Sequence, residues 1–312
     1  MIGRRSSGIR EGIPMNPVYL TILLAFAAFT RIAHAQSKPG SAPRPQAEDW
    51  VYVDNGKVRL GVLRSSGAGI AFLAKSGSAR NLLNHFDRGR LIQQSYYGDI
   101  DGSMWDKRPW RYNPVQGGDW RGKSPRLLEL RSDSTSLYSK SVPLNWATGT
   151  ELPECVMEQW VTLEGNIVHA RFQMSYRGLT THSAHHQEIP AIFTDAALTT
   201  LVTYTGTAPW TGAALTRRRP GADNEYIKIS ENWVAYVDAK DFGVGAYVPV
   251  ATDATCYRFL GGSGSDCSYV APITTFALKP GLKFTYDAYF AIGSLSQIRE
   301  HFATVRDKLN PK

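Results

Sequence analysis

Val156-Met157-Glu158-Gln159-Trp160-Val161-Thr162-Leu163 and Ile167-Val168-His169-Ala170-Arg171-Phe172-Gln173-Met174-Ser175-Tyr176 flank the turn residues Glu164-Gly165-Asn166. The first run alternates apolar and polar residues, so one side of a pleated strand is dry and the other wet. Val, Trp, Thr and Tyr suit that half-buried surface, and a glycine-containing connection between two such runs predicts an antiparallel hairpin. The pattern recurs along the chain. Trp50–Val53 and 57–62 flank Asp54-Asn55-Gly56, where Asn-Gly accommodates the positive φ of a tight primed turn. Residues 233–237 and 243–248 flank a turn at 238–241, and residues 274–278 and 283–292 are separated by Pro280-Gly281, each pair reading as antiparallel strands. The one helix expected is terminal: Leu295, Ile298, Phe302, Val305 and Leu309 recur at helical spacing after Ser294, an N-cap residue. The fold class predicted is all-β, a large antiparallel β-sandwich with a C-terminal helix.

Upstream of this pattern, residues 18–29 form an uncharged apolar run, preceded by Arg4, Arg5 and Arg10 and followed by Ala33-His34-Ala35. Basic region, apolar core and A-x-A site are the layout of a signal peptide, expected to be cleaved after Ala35. A core of about twelve residues falls short of the roughly 20 that a membrane-spanning helix needs. Arg4-Arg5 is followed by Ser6-Ser7-Gly8 where a twin-arginine signal wants an apolar residue, so ordinary secretion is the reading. The protein is expected to be secreted or periplasmic. Residues 36–49 hold three prolines and no apolar periodicity, which predicts a disordered linker. Residues 50–312 show no second break of that kind and are read as one domain.

The formal net charge of the 312-residue chain is +8. Four arginines and one glutamate lie in residues 1–35, so the mature chain carries about +5, a modest surplus that solubilises a surface or favours an acidic polymer. Export and the lack of a basic stripe argue against a nucleic-acid partner. Of three cysteines, Cys256 and Cys267 bracket a glycine-rich loop, and in an oxidising compartment a disulfide is expected there, leaving Cys155 unpaired. No C-x-x-C or His/Cys spacing indicates zinc, and the stretch 99–106 matches a calcium loop only loosely, so no metal and no cofactor is expected.

Two segments and one short motif carry candidate chemistry. Residues 95–126 read as a long loop holding Tyr96, Tyr97, Trp105, Trp110, Tyr112 and Trp120 among Gly, Pro, Asp, Asn and Gln. Aromatic faces stack on the C–H faces of sugar rings, and Asn113, Gln116, Asp119, Gln93 and Gln94 offer partners for hydroxyls. The alternative is that these rings cover one end of the sandwich as a second core. His182-Ser183-Ala184-His185-His186-Gln187-Glu188 leads into the apolar run 189–193 and places a group titrating near neutrality beside a carboxylate. On a strand, His186 and Glu188 share a face and Gln187 takes the other. Glu231-Asn232-Trp233 adds a carboxylate and an aromatic platform, or is simply a turn.

The chain resembles the galactose mutarotase-like superfamily in Arg80-Asn81-Leu82-Leu83, in the run Gly89-Arg90-Leu91-Ile92-Gln93-Gln94, in the paired strands 158–176 and in domain size. The resemblance covers most of residues 50–293 and implies a supersandwich that handles carbohydrate. The epimerase pattern of His and Glu on separate strands would fall on His186 and Glu231. Hydrolysis of a glycosidic bond needs a carboxylic acid and a second carboxylate, for which Glu188, Glu231 and Asp119 are candidates. A lyase acting on uronates needs a base such as His186 or Tyr96, with Arg90, Gln94 or Asn113 stabilising the developing charge. Stacking and binding fall to Trp105, Trp110, Trp120, Trp233, Gln116 and His185. Acidic residues beside each aromatic cluster favour the hydrolase; a polysaccharide lyase and a non-catalytic sugar-binding module are the alternatives. A polysaccharide or oligosaccharide is the partner expected.

Overall fold

A computed structural model of the protein describes residues 49–262 and 264–311. The expected signal peptide lies outside the described residues, as does the expected linker apart from Asp49. In chain order the strands are β1 (Trp50–Asp54), β2 (Val58–Leu63), β3 (Gly69–Lys75), β4 (Ile92–Ser95), β5 (Ile100–Trp105), β6 (Arg108–Arg111) and β7 (Pro114–Val115). There follow β8 (Arg126–Ser132), β9 (Ser136–Val142), β10 (Leu144–Asn145), β11 (Cys155–Glu164), β12 (Ile167–Tyr176), β13 (Ala184–Asp195) and β14 (Thr200–Thr203). The last are β15 (Thr216–Arg218), β16 (Glu225–Lys228), β17 (Trp233–Val237), β18 (Phe242–Tyr247), β19 (Asp253–Phe259), β20 (Cys267–Ala277) and β21 (Lys283–Ser294), before the helix α1 (Leu295–Leu309).

These strands make two large antiparallel sheets. The first runs β1-β2-β3-β4-β13-β20-β19-β16, with β7 joined to β4 and β10 to β7; the second runs β15-β14-β17-β18-β21-β12-β11-β9-β8. Between them lies the main core, which takes Leu60, Ile70, Ile92, Ile189 and Ile192 from the first sheet and Val161, Phe172, Val234, Val244 and Phe290 from the second. Truncating a wholly buried ring such as Phe172 to alanine would cost about 3–5 kcal/mol through lost burial and the cavity left behind.

Three of the expected hairpins form: β1 with β2, β11 with β12, and β17 with β18. At the first, only Gly56 takes a positive φ and Asp54 pairs with Arg59, so the connection is a longer loop than the tight primed turn read there. The fourth hairpin does not form. β20 and β21 flank Pro280-Gly281 as expected, but β20 pairs with β13 and β19 in the first sheet, while β21 pairs with β12 and β18 in the second. The turn there carries the chain from one sheet to the other. The expected long loop 95–126 is partly strand: Gly98 N donates to Tyr112 O and Tyr112 N to Asp99 O, so the β4–β7 ladder extends outward into the β5–β6 hairpin, while 116–125 remains irregular throughout.

The helix α1 begins where expected. The Ser294 hydroxyl accepts from Gln297 N at 3.3 Å and the Gln297 side chain accepts from Ser294 N at 3.0 Å, a reciprocal cap that satisfies two of the free N-terminal donors. Its buried face of Leu295, Ile298, Phe302 and Val305 covers Trp233, Tyr247 and Tyr289 on the outer side of the second sheet. Among the described residues no helix is long and apolar enough to cross a membrane.

The expected Cys256–Cys267 disulfide is absent: all three cysteines are free and buried. Register and facing explain it. Cys267 lies opposite Phe259, three positions along β19 from Cys256. Cys256 points into the main core, whereas Cys267 packs with Tyr257 and Tyr269 on the opposite side of the same sheet. At about 3.3 Å per residue, with the side chains on opposite faces, the two sulfurs are out of bonding reach.

Candidate functional site: the outer face of the first sheet

The side of the first sheet that faces away from the main core carries a second set of buried rings, Phe193, Tyr257 and Tyr269, with Ala191, Cys267, Ala271 and Ile273. Register places one transverse row on this face. Lys228 of β16 opposes Asp253 of β19, Asp253 opposes Ile273 of β20, Ile273 opposes Glu188 of β13, and Glu188 opposes Ser95 of β4. Four strand spacings make the row about 19 Å long. The sheet is strongly curved across it: the rings of His186 on β13 and Tyr226 on β16 lie 5.5 Å apart, although β20 and β19 separate their strands. This face is a trough.

Glu188 stands between Ile273 and Ser95 in the row, half-buried. Its Oε1 accepts a hydrogen bond from the Tyr97 hydroxyl at 3.0 Å and another from the Tyr269 hydroxyl, and Ser95 adds a third contact. Burial raises the pKa of the carboxyl above the usual glutamate range, although the three hydroxyls pull it the other way. The phenols are pushed well above their ordinary range by burial and by the neighbouring carboxyl, so they remain donors. As the alternation in the sequence required, His186 projects on the same face as Glu188, exposed. Gln187 turns the other way, buried against the backbone of Tyr97 and Phe276. A β-bulge between Glu188 and Ile192 resets the alternation, which keeps Ala191 and Phe193 on the trough side.

Asp253, at the far side of Ile273, behaves in the opposite sense. Burial would raise its pKa, but ion pairing with Lys228 at 2.7 Å and a hydrogen bond from the Thr252 hydroxyl at 2.8 Å hold it below the usual aspartate range. At one end of the trough Arg90 is 3% exposed, ion-paired with Asp87 and packed 5.3 Å from the Phe86 ring and 5.2 Å from the Phe259 ring. Its charge is matched within the wall. A Cβ on Gly89 would come within 2.5 Å of the Trp146 indole, so the glycine lets that ring close against the Arg90 turn. Trp146 in turn lies 6.4 Å from Trp105, and Trp105 lies 4.8 Å from Trp110. An aromatic trio thus flanks this end, with Trp105 and Trp110 carried by the β5–β6 hairpin.

The other residues read from the sequence lie elsewhere. Tyr96 is wholly buried between the sheets, its hydroxyl donating to Gln94. Gln94 donates to the Glu158 carbonyl, Gln116 donates to Gly67 O and Gln159, and Asn113 binds Tyr96 O and Trp110 Nε1. These amides tie the 93–116 segment to the sandwich and do not face the trough. Asp119 closes a turn, accepting from Arg121 N and Lys123 N, and Trp120 donates to Ala147 O. His185 is paired with Asp99 at 2.9 Å; that bond and the Ser183 amide bring the Asp99 pKa down to about 2. Asp99 heads the stretch 99–106 that matched a calcium loop loosely, and among the described residues no three His, Cys, Asp or Glu side chains gather as a metal site.

Glu231 and Trp233 are on the second sheet's side, under α1. Glu231 is 0% exposed and takes hydrogen bonds from Trp210 N, from Trp233 Nε1, and twice from the Arg299 guanidinium. A carboxylate so occupied locks the helix to the sheet. His186 and Glu231 are therefore not partners, and the epimerase-type pairing expected of them does not form. Tyr269, Asp253 and Tyr226 were missed because each arrives from a different strand, and nothing near them in sequence marks the face they share.

No protein-family model and no curated protein matches the sequence. Solved structures do match its architecture. The galactose mutarotase related enzyme of Lactobacillus acidophilus covers 78% of this chain and 97% of its own at 11% identity, with a TM-score of 0.51. A galactose mutarotase-like protein of Lactobacillus casei covers 78% of this chain and 99% of its own at 11% identity, with a TM-score of 0.52. The fold is the galactose mutarotase-like supersandwich. Within this supersandwich the trough is the outer face of one of the two sheets and α1 backs the other.

Proposed function

We propose that the protein is a carbohydrate-active enzyme that hydrolyses a glycosidic bond in an oligosaccharide or polysaccharide, with Glu188 as general acid. The observation that carries this reading is the Glu188 carboxyl on the trough face, raised in pKa by burial and held by Tyr97 and Tyr269. A carboxyl whose pKa is raised by burial, and which is partly open to solvent, is better suited than an ordinary glutamate to give a proton to a leaving oxygen. The similarity in fold to proteins named for galactose mutarotase supports a sugar as the ligand. Trough length favours a chain of sugars over a single ring, since the row from Lys228 to Ser95 spans about 19 Å. On this reading residues 1–35 are removed on export, residues 36–49 are a tether, and the enzyme works outside the cytoplasm without nucleic acid as a partner.

The second reading is aldose epimerisation, favoured by the names of the structural neighbours. One experiment separates them. The mature protein is incubated with a panel of aryl glycosides and oligosaccharides, following new reducing ends and unsaturated uronate, and with freshly dissolved galactose and glucose in a polarimeter. Hydrolysis predicts reducing ends alone, with turnover falling about 100-fold or more in Glu188→Gln at unchanged folding. Accelerated mutarotation without bond cleavage would replace it with the epimerase, unsaturated product with a lyase, and binding without turnover with a sugar-binding module.

A further inference from the structure

We infer that Asp253 is the second carboxylate of the site and acts as the general base of a hydrolysis that inverts the configuration at the anomeric carbon. The inference rests on the reading of Glu188 as general acid. Its evidence is the transverse row: Asp253 and Glu188 oppose the same residue, Ile273, from either side, and all three project into the trough. Two strand spacings put their Cα atoms about 10 Å apart, and the curvature that brings His186 onto Tyr226 draws the side chains inward. Inverting glycosidases hold their two carboxyl groups roughly 6.5–9.5 Å apart, because a water must fit between the base and the sugar; retaining enzymes close that gap to about 5–5.5 Å. One intervening strand suits the wider gap.

The two carboxyl groups also differ in the direction the chemistry needs. Burial shifts Glu188 toward its protonated form, while Lys228 and Thr252 shift Asp253 toward its ionised form. Between them the buried side chain of Ile273 offers an apolar floor for the C–H face of a sugar ring. In the step proposed, Asp253 takes a proton from a water, whose oxygen forms the new bond to the anomeric carbon from one side of the ring. The bond to the leaving oxygen breaks on the other side, and that oxygen takes the Glu188 proton. Water is the only co-reactant, and both products are neutral sugars.

The test uses the mature protein with two probes of one sugar: the oligosaccharide that the panel shows to be cleaved, and the dinitrophenyl glycoside, whose leaving group needs no proton. Proton NMR of the first product formed by the unaltered protein should show the anomer opposite to that of the substrate. Asp253→Asn should lower kcat about 100-fold or more on both probes, because water must be activated in either case. Glu188→Gln should be severely impaired on the oligosaccharide and much less so on the dinitrophenyl glycoside. Azide added to Asp253→Ala should restore turnover and give a glycosyl azide of inverted configuration. Retained configuration, or near-parental turnover in Asp253→Asn, overturns the role of Asp253 while leaving Glu188 as the acid. A Glu188→Gln protein as active as the parent on the oligosaccharide, or a parent that cleaves nothing, removes both readings. The stereochemical measurement needs no substitution, so it decides even if an Asp253 variant does not fold.

Discussion

Glu231→Gln is the substitution that most directly separates a structural carboxylate from a catalytic one. The carboxylate has no exposed surface and answers four donors, at 2.7 Å from Trp210 N, 2.8 Å from Trp233 Nε1, and 3.1 and 2.5 Å from Arg299. An amide of the same shape keeps one acceptor oxygen and turns an NH2 group toward a donor, whichever way it flips. It also leaves the Arg299 guanidinium, whose side chain is 18% exposed, without its counter-charge. Breaking one side of such a buried pair costs about 3–5 kcal/mol. For a domain of this size each kcal/mol is worth roughly 2–4 °C, so Tm should fall by roughly 6–20 °C. Calorimetry on the parent, Glu231→Gln, Arg299→Met and the double variant measures it. The double variant should be less destabilised than the two single losses added together, since removing both charges leaves none stranded. Turnover per folded molecule, measured well below the lowered Tm, should stay near the parent's. If Glu231→Gln kept its Tm and lost turnover, the helix-anchor account of this residue would be refuted.

Glu188 should imprint a pH dependence on stability. Its folded pKa is raised above the unfolded value of about 4.3, so its favourable contribution is complete below that value and is lost as pH rises through the folded pKa. Urea midpoints of the parent should fall across that window relative to Glu188→Gln; parallel curves would remove the buried proton. Tyr269→Phe deletes a hydroxyl that lowers the Glu188 pKa, so the alkaline limb of the activity profile should move to higher pH, and a shift to lower pH would contradict the geometry. Trp110→Ala, which removes a stacking face and a bond to Asn113, should raise KM more than it lowers kcat. Burial raises the pKa of all three thiols, to about 12 for Cys155 and Cys256. A thiol reagent should therefore find none in the native protein and three after unfolding, and a Cys256–Cys267 peptide in a non-reduced map would contradict the register.

What could be read from the sequence was what is local. The hairpin of β11 and β12 declares itself because alternation and turn lie within one stretch, and α1 because cap and apolar stripe adjoin it. The same logic failed at β20 and β21, where a good turn signal joins strands of different sheets; both strands are so apolar that alternation could not say which neighbour each would take. The candidate site was half legible. His186 and Glu188 shared a face by parity alone, but Tyr269 and Asp253 reach Glu188 through the pairing of β13, β20 and β19, which is long-range information. The polar residues among the aromatics of 95–126 misled for a related reason. Gln94, Asn113 and Gln116 look like hydroxyl binders in sequence, yet their hydrogen-bonding capacity is spent on backbone groups inside the sandwich.

The place of β21 governs when this molecule can come into being. Residues 283–294 lie between β18 and β12, and they alone join the two halves of the second sheet. A chain still lacking its last thirty or so residues has two four-stranded fragments with open inner edges, no helix over Trp233, and an Arg299 not yet made to meet Glu231. The strand that closes the second sheet is thus supplied from the far end of the sequence, a long-range pairing that must form before either fragment has a complete sheet. Removing residues 283–312 should therefore cost the whole protein and not just its end, as loss of a cooperative unfolding transition would show.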